Sequence, residues 1–330
     1  MRRRGWVRIG SLLAVVALAA ATWTLPAAAW PADAYSDSAA QTTRTVRADT
    51  GESLLVFTVS FASVVGQRRL VSGEVNAHQP TTTTDELLMA VVSVACTNGT
   101  AGGYGGVENT LRGGTTQFRL QFVHVAAATG STTCNLVAKA GRPRPVGTDA
   151  ASNVWYVESG SALRVSVPTT DWSESEKSEA VSLLRTAGQY WTPVVGKQSV
   201  ARGTAVAVIA QQKVTSCTTV GGSSDGTTGD VDLCAGHVDT TGSRVRLDVF
   251  ARQRNVDDTG YCMPAVKIGT QSRLIDRNVH HGQFHVTGAF TTSTAVGCGT
   301  VVHYYGTTTI ESGSDAVVHA PSAQVTIVNP

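Results

Sequence analysis

The chain has 330 residues, of which 15% are charged, with 33 Gly, 10 Pro and 6 Cys; an average soluble protein carries about 25% charged residues. It is too apolar for a disordered chain, and the lack of a second long apolar run excludes a multispanning helical membrane protein. The formal charge of +2 falls to −1 if residues 1–34 are removed, because they hold four arginines and one aspartate and leave 22 basic and 23 acidic residues; a nucleic-acid binder keeps a basic surplus.

Residues 1–34 combine Arg2, Arg3, Arg4 and Arg8 with an apolar run from Ile9 to Ala21. Small-residue cleavage sites follow at Ala27-Ala28-Ala29 and Ala32-Asp33-Ala34. This layout predicts a bacterial-type secretory signal peptide, cut after Ala34, and a secreted, extracellular mature protein. Arg3-Arg4-Gly5-Trp6 leaves both the general secretory and the twin-arginine routes open. No membrane association is expected after removal.

Beyond the leader, short alternating segments predict strands. Leu55, Phe57, Val59 and Phe61 share one face, as do Leu163, Val165 and Val167, and Val245, Leu247, Val249 and Ala251. Four matched segments recur in the same order. Phe118-Arg119-Leu120 is followed by Cys134 through Gly141, and Val245-Arg246-Leu247 by Cys262 through Gly269. Upstream, Val91–Thr97 matches Gln212–Thr218; downstream, Ser161–Pro168 echoes Ser322–Pro330. The reading is two tandem units, 35–168 and 200–330, each β-sandwich-like and disulfide-bonded, within a mainly β chain. One large two-sheet jelly roll is the alternative. Between them, 169–199 is expected to be a linker with one helix. Ser173-Glu174-Ser175-Glu176 forms a capping box, Ala180, Leu184 and Ala187 share a face, and Gly188 supplies a stop. Trp172 and Trp191 flank this segment and are expected to be buried between the units.

Cysteines at positions equivalent in the repeat predict Cys96–Cys134 and Cys217–Cys262, leaving Cys234–Cys298. The competing pattern is Cys217–Cys234 with Cys262–Cys298. No C-x-x-C occurs, so structural bridges are expected rather than metal or redox work.

Candidate chemistry is sparse. His280, His281 and His285 fall in one predicted strand, 281 and 285 on one face about 13 Å apart, and His303 on a neighbouring strand is the residue that would complete a site with one of them. The usual carboxylate ligand is missing nearby, so no metal site is assigned. Asp225, Asp230 and Asp232 lack EF-hand spacing. The strand-helix alternation that a nucleophile elbow needs is lacking, and no Gly-Lys-Ser/Thr phosphate loop is present. The glycine-rich stretch 97–114 reads as a surface loop. It carries Tyr104, Glu108, Asn109 and Arg112 as the candidate ligand-binding residues, aromatic and Arg side chains being frequent recognition anchors. Its counterpart in the second unit is read as 218–233, without an aromatic. The expected function is a non-catalytic extracellular binding or structural module, without cofactor, whose partner is an unknown extracellular protein or glycan. The alternative is a secreted hydrolase or metal-dependent enzyme with a site assembled from distant residues.

Overall fold

The computed structural model describes residues 33–38, 44–47, 53–82, 87–99, 104–140, 154–167, 172–174, 176–177, 181–184, 186–217, 242–276, 281–313 and 315–328. Every regular element among them is a strand. The first ten are β1 (Asp33–Ser38), β2 (Arg44–Arg47), β3 (Leu54–Ser63), β4 (Arg68–His78), β5 (Leu87–Cys96), β6 (Tyr104–Leu111), β7 (Thr115–Val125), β8 (Gly130–Ala140), β9 (Val154–Val157) and β10 (Ala162–Ser166). They form a six-stranded sheet in the order β1-β10-β4-β9-β2, with β7 also paired to β4, and a four-stranded sheet β3-β8-β5-β6.

The second set is β11 (Trp172–Glu174), β12 (Glu176–Lys177), β13 (Val181–Leu184), β14 (Tyr190–Ser199), β15 (Ala205–Ser216), β16 (Ser243–Asn255), β17 (Val266–Ile275), β18 (His281–Thr291), β19 (Cys298–Ser312) and β20 (Ala316–Val328). These form β11-β20-β15-β18, with β13 also on β20, and β12-β14-β19-β16-β17. All recorded pairings of both sets are antiparallel.

Each pair of sheets closes over its own apolar core. In the first, Val71, Val75, Phe118, Leu120, Trp155 and Leu163 of one sheet meet Phe57, Val59, Val92, Val94 and Leu136 of the other. In the second, Val206, Val208, Phe284, Val325 and Ile327 meet Val245, Leu247, Val249, Val302 and Tyr304. Four sheets and two cores make two β-sandwiches, not one jelly roll. A fully buried Leu, Val or Phe contributes about 1.5–3 kcal/mol, so each core is a substantial source of stability.

Alternation in 245–251 is realised in full, with all four apolar side chains buried. In β3 it is broken by a register shift between Leu55 and Phe57. The extra residue turns Val56 inward and leaves Leu55 52% exposed. At the end of β10, Val167 lies one residue beyond the strand and is likewise exposed.

The expected helix does not form. The described part of 172–184 is strand: β11 and β13 both pair with β20, and β12 pairs with β14. Helix propensity and a capping box are worth roughly 1 kcal/mol each, whereas an open sheet edge satisfies a row of backbone groups and buries Leu184 to 4% exposure. Trp191 packs on the second core rather than between the sandwiches; the side chain of Trp172 is outside the described residues.

The two sandwiches repeat one strand order, β1-β10-β4-β7 with β3-β8-β5-β6 corresponding to β11-β20-β15-β18 with β14-β19-β16-β17. Under this match β5 corresponds to β16 and β8 to β19. Cys96 and Cys134 lie directly opposite on β5 and β8 and are bonded. The corresponding bridge is Cys262–Cys298, from the connection after β16 to the start of β19. The expected Cys217–Cys262 and Cys234–Cys298 links are therefore not made; the alternative partner for Cys262 is the correct one. The Cys, Lys and Gly spacing shared by 134–141 and 262–269 aligned β8 with β17, strands at different places in their sheets. Cys217 is also bonded; Cys234 lies outside the described residues, as do His280, the Asp225–Asp232 stretch and residues 1–32.

Candidate functional site

The sandwiches meet along the open edges of their sheets. Strand β18 ends its sheet, so the outward N–H groups of His281, Gln283 and His285 need acceptors. Side chains supply all three. His281 N donates to Asn109 Oδ1 (2.8 Å), Gln283 N to Glu108 Oε2 (3.3 Å) and His285 N to Gln271 Oε1 (2.8 Å). Across the same boundary, Gln211 serves β7 like a missing strand: its Oε1 accepts from Gln121 N (3.0 Å) and its Nε2 donates to Gln121 O. Leu70 and Val123 of the first sandwich and Ile209 and Val328 of the second form a small apolar cluster beside these bonds.

Within this seam the Glu108 carboxylate is held by both terminal nitrogens of Arg273, Nη1 at 3.1 Å. Arg273 Nη1 also donates to Gln283 O at 3.0 Å. The Glu108 side chain is only 3% exposed. Burial pushes its carboxyl above the usual range, and the Arg273 guanidinium pulls it back.

A cleft of about 380 Å³ opens above this pair, between β6, β7 and β17. Glu108 and Asn109 form its floor, and Leu111, Thr115, Thr116, Gln117 and Gln271 its walls. Its size falls in the range of small-molecule sites, about 300–1,000 Å³.

Of the residues singled out in the sequence, Glu108 and Asn109 thus line a cleft, with their polar atoms bonded to the second sandwich. Arg112 is exposed just past Leu111, in an isolated bridge with Gln79. Tyr104 begins β6, eight residues from Arg112 and about 26 Å along an extended chain, so only an extended ligand touches both; its side chain is outside the described residues. Within the expected loop 97–114, Tyr104–Leu111 is strand, because β5 offers an open edge on which it zips in register. Gly106 permits the seam to close: a Cβ there would lie 3.1 Å from Leu120 and 3.4 Å from Gln283.

The histidines separate. The Thr215 hydroxyl bridges His281 Nδ1 (2.9 Å) and His319 Nε2 (2.8 Å) in the buried seam. His285 Nε2–H meets Gln121 Oε1 at 2.9 Å, and burial lowers its pKa to about 4. His303 lies on the other sheet, against Tyr261, so it completes no site with His281 or His285. Among the described residues no three His, Cys, Asp or Glu side chains are grouped to hold a metal ion. Arg273 and Gln271 escaped the sequence reading; the signal for Arg273 was its place two residues before buried Ile275 on one face of β17, where a cation needs a partner.

No protein-family model matches this chain, and no curated protein matches it. Among solved structures it is similar to the N-terminal CBM22-1–CBM22-2 tandem domain from Paenibacillus barcinonensis, at 9% identity over 92% of this chain and 99% of that one, with a TM-score of 0.27. It is also similar to PNGase F, a glycosylasparaginase from Flavobacterium meningosepticum (10% identity, 88% and 96% of the chains, TM-score 0.29). The VP2 subviral particle of infectious bursal disease virus matches at 10% identity over 92% and 79%, with a TM-score of 0.21. At these values the likenesses assign neither a family nor a function. What fold and cleft define is a disulfide-bonded protein, all-β among its described residues, of two sandwiches joined by a largely polar seam.

Proposed function

We propose that the protein is a non-catalytic extracellular binding module of two sandwich units, whose cleft between β6, β7 and β17 takes a neutral, hydroxyl-rich ligand, a glycan of the cell's surroundings. The observation that carries this reading is the mutual engagement of Glu108 and Arg273 in the cleft floor. With the two charges held against each other, the walls offer a ligand hydroxyls, side-chain amides and the apolar patch of Leu111. These are the groups that hydrogen-bond and pack against a sugar. Export supports the reading too: disulfides persist in oxidising compartments, and two are present between described cysteines. In this reading residues 1–34 are the leader removed on export.

The test is a panel of neutral oligosaccharides titrated calorimetrically into the mature protein. Thr115→Ala with Gln117→Ala, both exposed wall residues, should weaken the best ligand at least fivefold without changing the melting temperature. Unchanged affinity removes the cleft from recognition. Hydrolysis of a ligand by the parent, abolished by Glu108→Gln, would replace this reading with that of a secreted hydrolase.

A further inference from the structure

The outer face of the sheet β12-β14-β19-β16-β17 carries an ordered array of cations and rings. Its register sets Lys197, His303 and Arg252 side by side on β14, β19 and β16, and Val195, Tyr305 and Phe250 in the next row. Phe250 and Tyr305 stack with centroids 5.2 Å apart at 19°. The Arg252 guanidinium carbon lies 3.6 Å from the centre of the Tyr261 ring and 5.6 Å from that of Tyr305. Tyr261 sits on the β16–β17 connection, fixed by the neighbouring Cys262–Cys298 bridge, and its hydroxyl meets His303 Nδ1 at 3.0 Å. By strand order this connection corresponds to the one that precedes Tyr104 in the first sandwich, so the second unit has its aromatic after all.

Neighbouring cations on this face have carboxylates: Arg254 pairs with Asp258 at 2.5 Å and Lys267 with Asp248 at 3.1 Å. Arg252 has none among the described residues, and its Nε is buried without a hydrogen-bond partner. The surplus is local, since the whole chain carries only +2. The His303 imidazole registers it: burial lowers its pKa, and Arg254 and Arg252 lower it further against the pull of Asp258.

We propose that this face binds an extended acidic polysaccharide, with one carboxylate or sulfate seated on Arg252 between Tyr261 and Tyr305 and the chain running across the strands toward Lys197. The guanidinium fork matches either anion in bidentate fashion, and its clamping between rings means that little side-chain freedom is lost on binding. Lys197 to Arg252 spans two strand spacings, about 10 Å, roughly a disaccharide repeat, and the intervening ring edges and Val195 give sugar C–H groups an apolar rest. The site is separate from the cleft and stands or falls apart from it.

Affinity electrophoresis of the full mature chain through gels holding polygalacturonate, dextran sulfate or neutral dextran tests the assignment. The parent should be retarded by at least one polyanion, less so as salt rises, whereas any retardation by dextran belongs to the cleft and should not change with salt. Arg252→Met, which keeps an apolar stem between the rings, should weaken retention at least tenfold, while Ser60→Ala, exposed on β3 of the other sandwich, should leave it unchanged. Preference between the two polyanions tells carboxylate from sulfate. If Arg252→Met fails to fold, Lys197→Met at the exposed end gives the reading, with at least a threefold loss expected. No retardation of the folded parent, or parental retention by the folded variants, overturns the proposal. So does self-association of the parent in sedimentation that Arg252→Met abolishes, since a second copy would then own the face.

Discussion

At the scale of single residues, the boundary between the sandwiches makes the protein sensitive to acid. The folded chain keeps His285 neutral down to about pH 4, whereas an imidazole in the unfolded chain takes up its proton from about pH 6.5 downward. Between those values the unfolded state binds more protons. Stability from this group is therefore complete above pH 6.5 and is lost as pH falls through 4, by roughly 3 kcal/mol in all. His124, lowered by burial and by Arg69, acts in the same direction. His285→Gln removes the first contribution, so urea midpoints measured from pH 7 to pH 4 should fall less steeply than in the parent. An identical slope would assign the acid sensitivity to other groups. Nearby, Arg273→Met should cost about 3 kcal/mol, because it strands a buried carboxylate. Glu108→Leu combined with Arg273→Met should recover much of that loss, since it also removes the orphaned charge. A double-mutant cycle by chemical denaturation reads both values.

At the scale of elements, the replacement of a helix by edge strands has a direct signature. Leu184→Ala should cost about 2–4 kcal/mol, as for a core leucine, and the amides of Val181–Leu184 should resist hydrogen exchange; fast exchange and a negligible cost would restore a surface segment. The same stretch shows where reading a sequence succeeds and fails. The alternation of Val245, Leu247, Val249 and Ala251 is local and survives intact. The 3.6-residue period around Ala180, Leu184 and Ala187 is equally clear locally, but it competes with pairing to β14 and to the edge of β20, more than a hundred residues downstream. The glycines of 102–106 disguised β6 for the same reason, since a strand zipped onto an edge needs little side-chain volume. The bulge that exposes Leu55 leaves no mark in composition. For the site, Glu108 and Asn109 were visible as an isolated polar pair, but the cleft needs Gln271 and Arg273 from the other sandwich, and no local pattern announces a partner 165 positions away.

At the scale of the whole molecule, the seam couples two sandwiches that each have a complete core. Gln211, Glu108 and Asn109 satisfy edge groups of the opposite half, so separation leaves several backbone groups and an ion pair to be rehydrated together. Calorimetry of the parent should show one heat-absorption peak, and Gln211→Ala with Arg273→Met should split it in two. Two peaks in the parent would mean that the seam transmits little.

Both bridges between described cysteines close within their own half, at sequence separations of 38 and 36, and every strand of the first two sheets precedes every strand of the others. One half can therefore close, its described bridge included, before the strands of the other are available. The unfinished part of that half is electrostatic: until β17 arrives, Glu108 stands hydrated at its surface as an ordinary acid. Closing the seam then expels water from between Glu108 and Arg273, a step that high salt opposes by screening the pair while it is still hydrated.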